Sequence, residues 1–90
     1  MLKVKFNFVY KDREYAAECQ PFPIDGTTEL HITPHDPELF HRFGVQILLQ
    51  RADGSISTRL KPEPEEHEYL VALAEGVSAY FDDQQKSINL

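Results

Sequence analysis

A single cysteine, Cys19, occurs in 90 residues, so neither an intrachain disulfide nor a cluster of thiolate metal ligands is possible. No run approaches the roughly 18 apolar residues of a membrane helix. The opening MLKVKFNFVY alternates polar and apolar residues and lacks the continuous apolar core of a secretory signal. These absences predict a soluble protein of a reducing compartment, the cytoplasm, with no membrane partner. The glycines are scattered at Gly26, Gly44, Gly54 and Gly76, which leaves no loop to cradle a phosphate, and Ser55, Ser57 and Ser78 have no G-x-S-x-G context. Basic residues are missing from one long stretch. Residues 63–83 hold seven acids (Glu63, Glu65, Glu66, Glu68, Glu75, Asp82, Asp83) and no lysine or arginine. The remaining residues hold nine bases and eight acids, which gives the net charge of −6. That balance disfavours a phosphate backbone, which needs clustered lysine and arginine.

What is present is one segment with a clear helical period, Glu63–Asp83. Leu70, Leu73, Val77, Tyr80 and Phe81 share one face, and Ala74 widens it. Pro62 and Pro64 set the entry, and Glu65, Glu66 and Glu68 place negative charge at the positive end of the helix dipole. The apolar stripe must be buried, so this helix is expected to lie across a sheet. Gly76 in its middle costs about 1 kcal/mol against alanine, which points either to tolerance or to close approach of the helix backbone to that sheet.

The preceding residues read as strands and turns. Residues 2–10 alternate, with Leu2, Val4, Phe6, Phe8 and Tyr10 on one side and Lys3, Lys5, Asn7 and Val9 on the other. A tight turn over residues 11–14 returns the chain through 14–20, with Tyr15, Ala17 and Cys19 inward, as an antiparallel hairpin. Pro21 and Pro23 are expected to end that strand, because proline cannot donate to a ladder. Asp25-Gly26 marks a turn, and residues 28–33 form a short strand with Leu30 and Ile32 inward, closed by Pro34. Asp36-Pro37-Glu38 has the form of a helix start, with Asp36 as N-cap and Pro37 at the first helical position. Leu39, Phe40 and Phe43 would be its apolar side and Gly44 its stop. Residues 45–51 read as a strand with Val45, Ile47 and Leu49 inward. Leu48 and Val9 are then left on the other face, to pack beneath residues 34–43 or to form a small interface. Asp53-Gly54 is a hairpin signal leading into a last strand with Ile56, Thr58 and Leu60 inward.

The predicted order is β-β-β-(short α)-β-β-α. This is an α+β domain with an antiparallel sheet of about five strands and a C-terminal amphipathic helix on one face. Residues 1–86 would form the single domain and 87–90 a frayed tail.

Few residues suggest chemistry. His31, His35 and His41 lie close in sequence with Asp36 beside them, and imidazole with carboxylate is a zinc or nickel ligand set. Their spacing matches no ligand motif, and Pro34 prevents His31 and His35 from sharing a helix face. Surface histidines are the plainer reading. Cys19, on an inward strand face, is expected to be a small buried hydrophobe and not a nucleophile. Paired acids on a solvated helix end offer no cleft for acid–base catalysis.

Lys3 and Lys5 share a strand face that would serve a weak nucleic-acid module, yet lysines on outer strands also discourage edge pairing. The sequence therefore predicts no enzyme and no cofactor. It predicts a domain acting through protein contact as an accessory or regulatory protein. Glu65, Glu66, Glu68 and Glu75 would face a partner with a basic surface, and an open sheet edge offers a second surface. Metal binding at His31, His35, Asp36 and His41 is the first alternative, and nucleic-acid binding at Lys3 and Lys5 the second.

Overall fold

The structure, a computed structural model, describes residues 3–58 and 63–88, with side chains through residue 82. Five strands, β1 (Val4–Tyr10), β2 (Arg13–Ile24), β3 (Thr27–Pro34), β4 (Gln46–Arg51) and β5 (Ile56–Thr58), form one antiparallel meander in chain order. Helix α1 (Pro37–Phe43) joins β3 to β4, and α2 (Pro64–Ile88) follows β5. Both helices pack on the same face of the sheet. The predicted α+β architecture, with its C-terminal helix laid on an antiparallel sheet, is the observed one.

Local chemistry sets each connection. Lys11 and Asp12 both have positive φ, 51° and 61°, and close a two-residue turn between Tyr10 and Arg13. That is the type I′ geometry matching the twist of a hairpin. Asp25-Gly26, at 43° and 84°, repeats it between β2 and β3. The β4–β5 loop is longer. The Gly54 N–H donates to the Arg51 carbonyl, the Arg51 N–H to the Ser55 carbonyl, and the Ser55 N–H to Asp53 Oδ1 at 2.9 Å. Asp36 caps α1 by accepting from the Leu39 N–H at 3.1 Å, and the Gly44 N–H, at φ 68°, donates to the Phe40 carbonyl to end it. Glu63 accepts the first bond of α2, from the His67 N–H, with Pro64 opening the helix.

Three expectations are corrected. First, β2 does not stop at the prolines but runs to Ile24, with Pro21 opposite Leu30 and Pro23 opposite Thr28. The two prolines are two positions apart, so their missing donors fall on one edge of the strand. Beyond Val4–Cys19 that edge has no β1 partner among the described residues, and Phe22 and Ile24 can carry the ladder to β3. Second, the faces of β4 are exchanged. Leu48 is fully buried against the helices, and Ile47 and Leu49 lie on the other face. The register is the cause, because residues directly opposite share a face. Leu48 sits opposite Leu30, Ile47 opposite His31 and Leu49 opposite Glu29. Third, α1 does not shelter Leu48 or Val9. Its Leu39 enters the common core, Phe43 stacks on Tyr69 with ring centroids 4.1 Å apart, and Phe40 is 48% exposed.

The core lies between the inner face of the sheet (Phe6, Phe8, Tyr10, Ala17, Cys19, Leu30, Ile32, Leu48) and Leu39, Tyr69, Leu70, Ala72, Leu73 and Val77 of the helices. Tyr69, the largest fully buried side chain, is absent from the predicted stripe. It stands four residues before Leu73 and eight before Val77, which is core spacing. Gly76 settles its own question. A Cβ there would come within 2.7 Å of the Asn7 carbonyl oxygen and of Phe8 Cβ, so the helix backbone rests on β1. α2 continues to Ile88, past the expected end at Asp83 and into the expected tail. Leu2, Arg59, Leu60, Lys61 and Pro62 lie outside the described residues, as does the side chain of Asp83.

Candidate interaction surfaces

The acids expected to face a partner stand in different surroundings. Glu65 forms an ion pair with Arg42 of α1, and Glu66 accepts from Gln46 Nε2 at 3.5 Å. Gln46 also donates to the Phe43 carbonyl at 2.8 Å, which explains how an inward position on β4 holds an amide. These contacts tie the start of α2 to α1 and β4. Glu68 and Glu75 remain exposed on the helix.

The histidines are likewise separated. His31 Nε2 lies 3.1 Å from Glu29 Oε1 and His35 Nε2 lies 3.2 Å from Glu18 Oε1. Asp36 is used as the α1 cap, and His41 is exposed on that helix. Among the described residues no group of three or more His, Cys, Asp or Glu is placed to hold a metal ion, so the predicted ligand set is not assembled.

Both imidazole–carboxylate pairs lie at the outer face of the sheet, the face neither helix covers. Glu18 reaches Lys3 Nζ at 3.9 Å with its other oxygen, and the His31 ring meets Phe22 edge-on at 4.5 Å. A shallow depression of about 210 Å³ lies between Lys3, Glu18, Gln20, Phe22, His31, Thr33 and Val45. Apolar side chains flank this polar strip. Phe22, Ile47 and Leu49 are half-buried, while Ile24 and Val45 are 48% and 50% exposed. Of these, Val45, Ile47 and Leu49 are the ones that the alternation of residues 45–51 alone places in the core. The pairing of Leu48 with Leu30, which sequence alone does not supply, moves them outside. Lys3 and Lys5 share this face, but Glu14 and Glu18 interleave with them, since Lys5 is opposite Glu18 and Val9 opposite Glu14. The result is mixed charge without the continuous basic strip that tracks a phosphate backbone.

Cys19 is fully buried, and burial pushes its thiol up to about 11, away from the thiolate a nucleophile requires. The hydroxyls of Tyr10 and Tyr69 are buried with no hydrogen-bond partner among the described residues, and the two rings meet edge-to-face at 5.3 Å. Burial, and to a lesser extent Tyr10 and Asp36, push the Tyr69 phenol up to about 12. No helix of the described residues is long and apolar enough to cross a membrane.

The chain matches no protein-family model, no curated protein and no solved structure, so its own geometry carries the functional reading.

Proposed function

We propose that this is a non-enzymatic cytoplasmic domain that acts by binding another protein, as an accessory or regulatory component, through the uncovered face of its sheet. One observation carries the proposal. Both helices pack on one face, and the other presents Phe22, Ile24, Val45, Ile47 and Leu49 around the Glu29–His31 pair. Apolar side chains grouped on an open face, rimmed by polar ones, are the usual composition of a protein-binding surface. The central glutamate and histidine would confer orientation, the apolar flanks affinity. Exposure of Glu68 and Glu75 favours a second reading, in which a partner with a basic surface docks on α2. A cytoplasmic location agrees with a lone, buried, unpaired cysteine.

Affinity capture from the host lysate separates the two surfaces. The wild type is compared with Ile24→Lys/Val45→Lys on the sheet and Glu68→Lys/Glu75→Lys on the helix, each checked for native circular dichroism. A partner lost only with the sheet variant supports the proposal. Loss only with the helix variant transfers the contact to α2. If the wild type captures nothing at physiological salt, the interaction reading is wrong.

A further inference from the structure

We propose that the outer edge of β5 takes up an extended segment of a partner protein as an added antiparallel strand, in the groove between β5 and α2. That segment would alternate apolar residues and carry a basic one toward its C-terminal end. β5 stands at the end of the sheet and pairs only with β4 among the described residues. Its hydrogen bonding fixes which backbone groups are open. The Arg51 N–H donates to the Ser55 carbonyl, and the register that sets Leu49 opposite Ser57 and Gln50 opposite Ile56 sets these two opposite each other. Bonded pairs alternate with unbonded ones along an antiparallel ladder. Ser57 therefore bonds to Leu49, while Ile56 and Thr58 direct their N–H and carbonyl groups away from β4. The side chains of Ile56 and Thr58 lie on the inner face, since Thr58 is opposite the buried Leu48.

α2 leaves room beside this edge. A depression of about 210 Å³ lies among Leu48, Ile56, Thr58, Leu70, Val71 and Ala74, and one of about 400 Å³ among Ile56, Ala74, Glu75, Ser78 and Asp82. Ile56 and Ala74 line both, so the two form one groove with a strand edge on one side and a helix on the other. That is a setting in which an extended peptide joins a sheet. The groove changes character along its length. Toward Thr58 its helix wall is Leu70 and Val71, the latter 42% exposed; beyond Ile56 it is Glu75, Ser78 and Asp82. An added strand turns every second side chain inward. Opposite Thr58 and then Ile56 these side chains meet Val71 and Ala74, which suits valine or isoleucine. The next inward position is about 7 Å further on. Ser78 and Asp82 follow Ala74 at about 6 and 12 Å along the helix, so an arginine or lysine at that position reaches Asp82. Residues 63–83 hold no lysine or arginine, so this stretch of α2 does not supply the complementary charge. A second copy of the chain would bring the same acidic wall, which disfavours pairing of β5 with itself. The proposal is independent of the sheet-face reading above, whose residues lie on the opposite face.

Amide NMR of the full chain, titrated to millimolar concentration with the end-capped peptide Ser-Val-Thr-Val-Thr-Arg-Ser, tests it. Shifts are expected in β5 and over residues 71–82. Hydrogen exchange at the Ile56 and Thr58 amides is expected to slow as they gain acceptors, while Ser57, already bonded to Leu49, changes little. Glu75→Lys/Asp82→Lys weakens binding about tenfold, and a peptide with glutamate in place of arginine recovers it. Thr58→Pro removes an edge donor without touching the bonds to β4, and is expected to weaken binding about tenfold. Should that variant not fold, the charge exchange decides alone. No shift at millimolar peptide overturns the proposal, as do shifts centred on Ile47 and Leu49 or unchanged exchange at Ile56 and Thr58. A folded Thr58→Pro that binds like the wild type, or a charge exchange without recovery, overturns it equally. So does exchange at Ile56 and Thr58 that slows with protein concentration alone, which would make the occupant a second copy.

Discussion

Replacing Gly76 with alanine reverses an ordinary rule. In an exposed helix interior the change stabilises by about 1 kcal/mol, because alanine is the better helix former. At this position the added methyl would lie 2.7 Å from the Asn7 carbonyl oxygen, 2.7 Å from Phe8 Cβ and 3.1 Å from Phe8 Cα. Ordinary carbon contacts are about 3.5–4.0 Å, so α2 or β1 must move by close to an ångström. None of the three atoms is the yielding end of a long side chain. Two belong to the backbone of β1, and the third is fixed to it. Overpacking costs about 1–3 kcal/mol, and against backbone atoms that cannot swing aside it lies in the upper part, about 2–3 kcal/mol, which outweighs the propensity gain and leaves a net loss of about 1–2 kcal/mol. For a domain of this size that lowers Tm by roughly 4–16 °C. Thermal and urea melts followed by far-UV circular dichroism measure it. Ala79→Gly, at an exposed position of the same helix, calibrates the propensity effect and should cost about 1 kcal/mol. A Gly76→Ala variant as stable as the wild type, or more so, would refute the close packing of α2 on β1.

Other substitutions probe separate links of the fold. Leu73→Asp places a charge at a fully buried position between helix and sheet and should abolish the cooperative melt, since the expected loss approaches the stability of a small domain. Asp12→Gly relieves a non-glycine residue at φ 61° in a type I′ turn and should raise stability by up to about 1 kcal/mol, read as an increased Tm. Tyr69→Phe removes a buried hydroxyl with no partner among the described residues and should stabilise by about 1 kcal/mol, measured in urea. The same variant changes the alkaline limb of stability. The Tyr69 phenol is raised from 10.0 to about 12 in the fold, so the unfolded chain releases this proton first and stability falls as pH rises through that interval. Cys19, raised from 9.0 to about 11, produces an earlier fall of the same sign. Tyr69→Phe should therefore flatten the loss above pH 10 and leave the earlier part in place.

Much of this fold is visible in the chain because its local signals agree with one another. The alternation of Phe6, Phe8 and Tyr10, the Asp36-Pro37 start and Gly44 stop of α1, and the Asp53-Gly54 loop each have a local cause that the tertiary structure leaves intact. Residues whose placement depends on a neighbouring strand are less legible. In β4 three apolar residues alternate against one, yet the one is inside. The pairing of Leu48 with Leu30 is long-range, and a shift of one residue exchanges the faces. The prolines of β2 are misleading for a similar reason, since they break a strand only where its donors are needed on both edges. Tyr69 shows a different limit. Its spacing was available, but a residue that is polar at its tip and adjacent to Leu70 reads equally well as the edge of the stripe. The interaction surface inherited the β4 error, because assigning Ile47 and Leu49 inward left the outer face looking polar. The acids of α2 were legible as charge but not as contacts, since nothing near Glu65 or Glu66 in the chain announces Arg42 or Gln46.

The most direct test of the uncovered sheet face is the solvent exposure of three consecutive methyl-bearing residues on β4. Methyl NMR with a soluble paramagnetic chelate reports it residue by residue. Ile47 and Leu49 are expected to broaden strongly while Leu48, enclosed by the helices, stays sharp. Broadening of Leu48 with protection of Ile47 and Leu49 would contradict the observed register, and with it the surface on which partner binding is proposed.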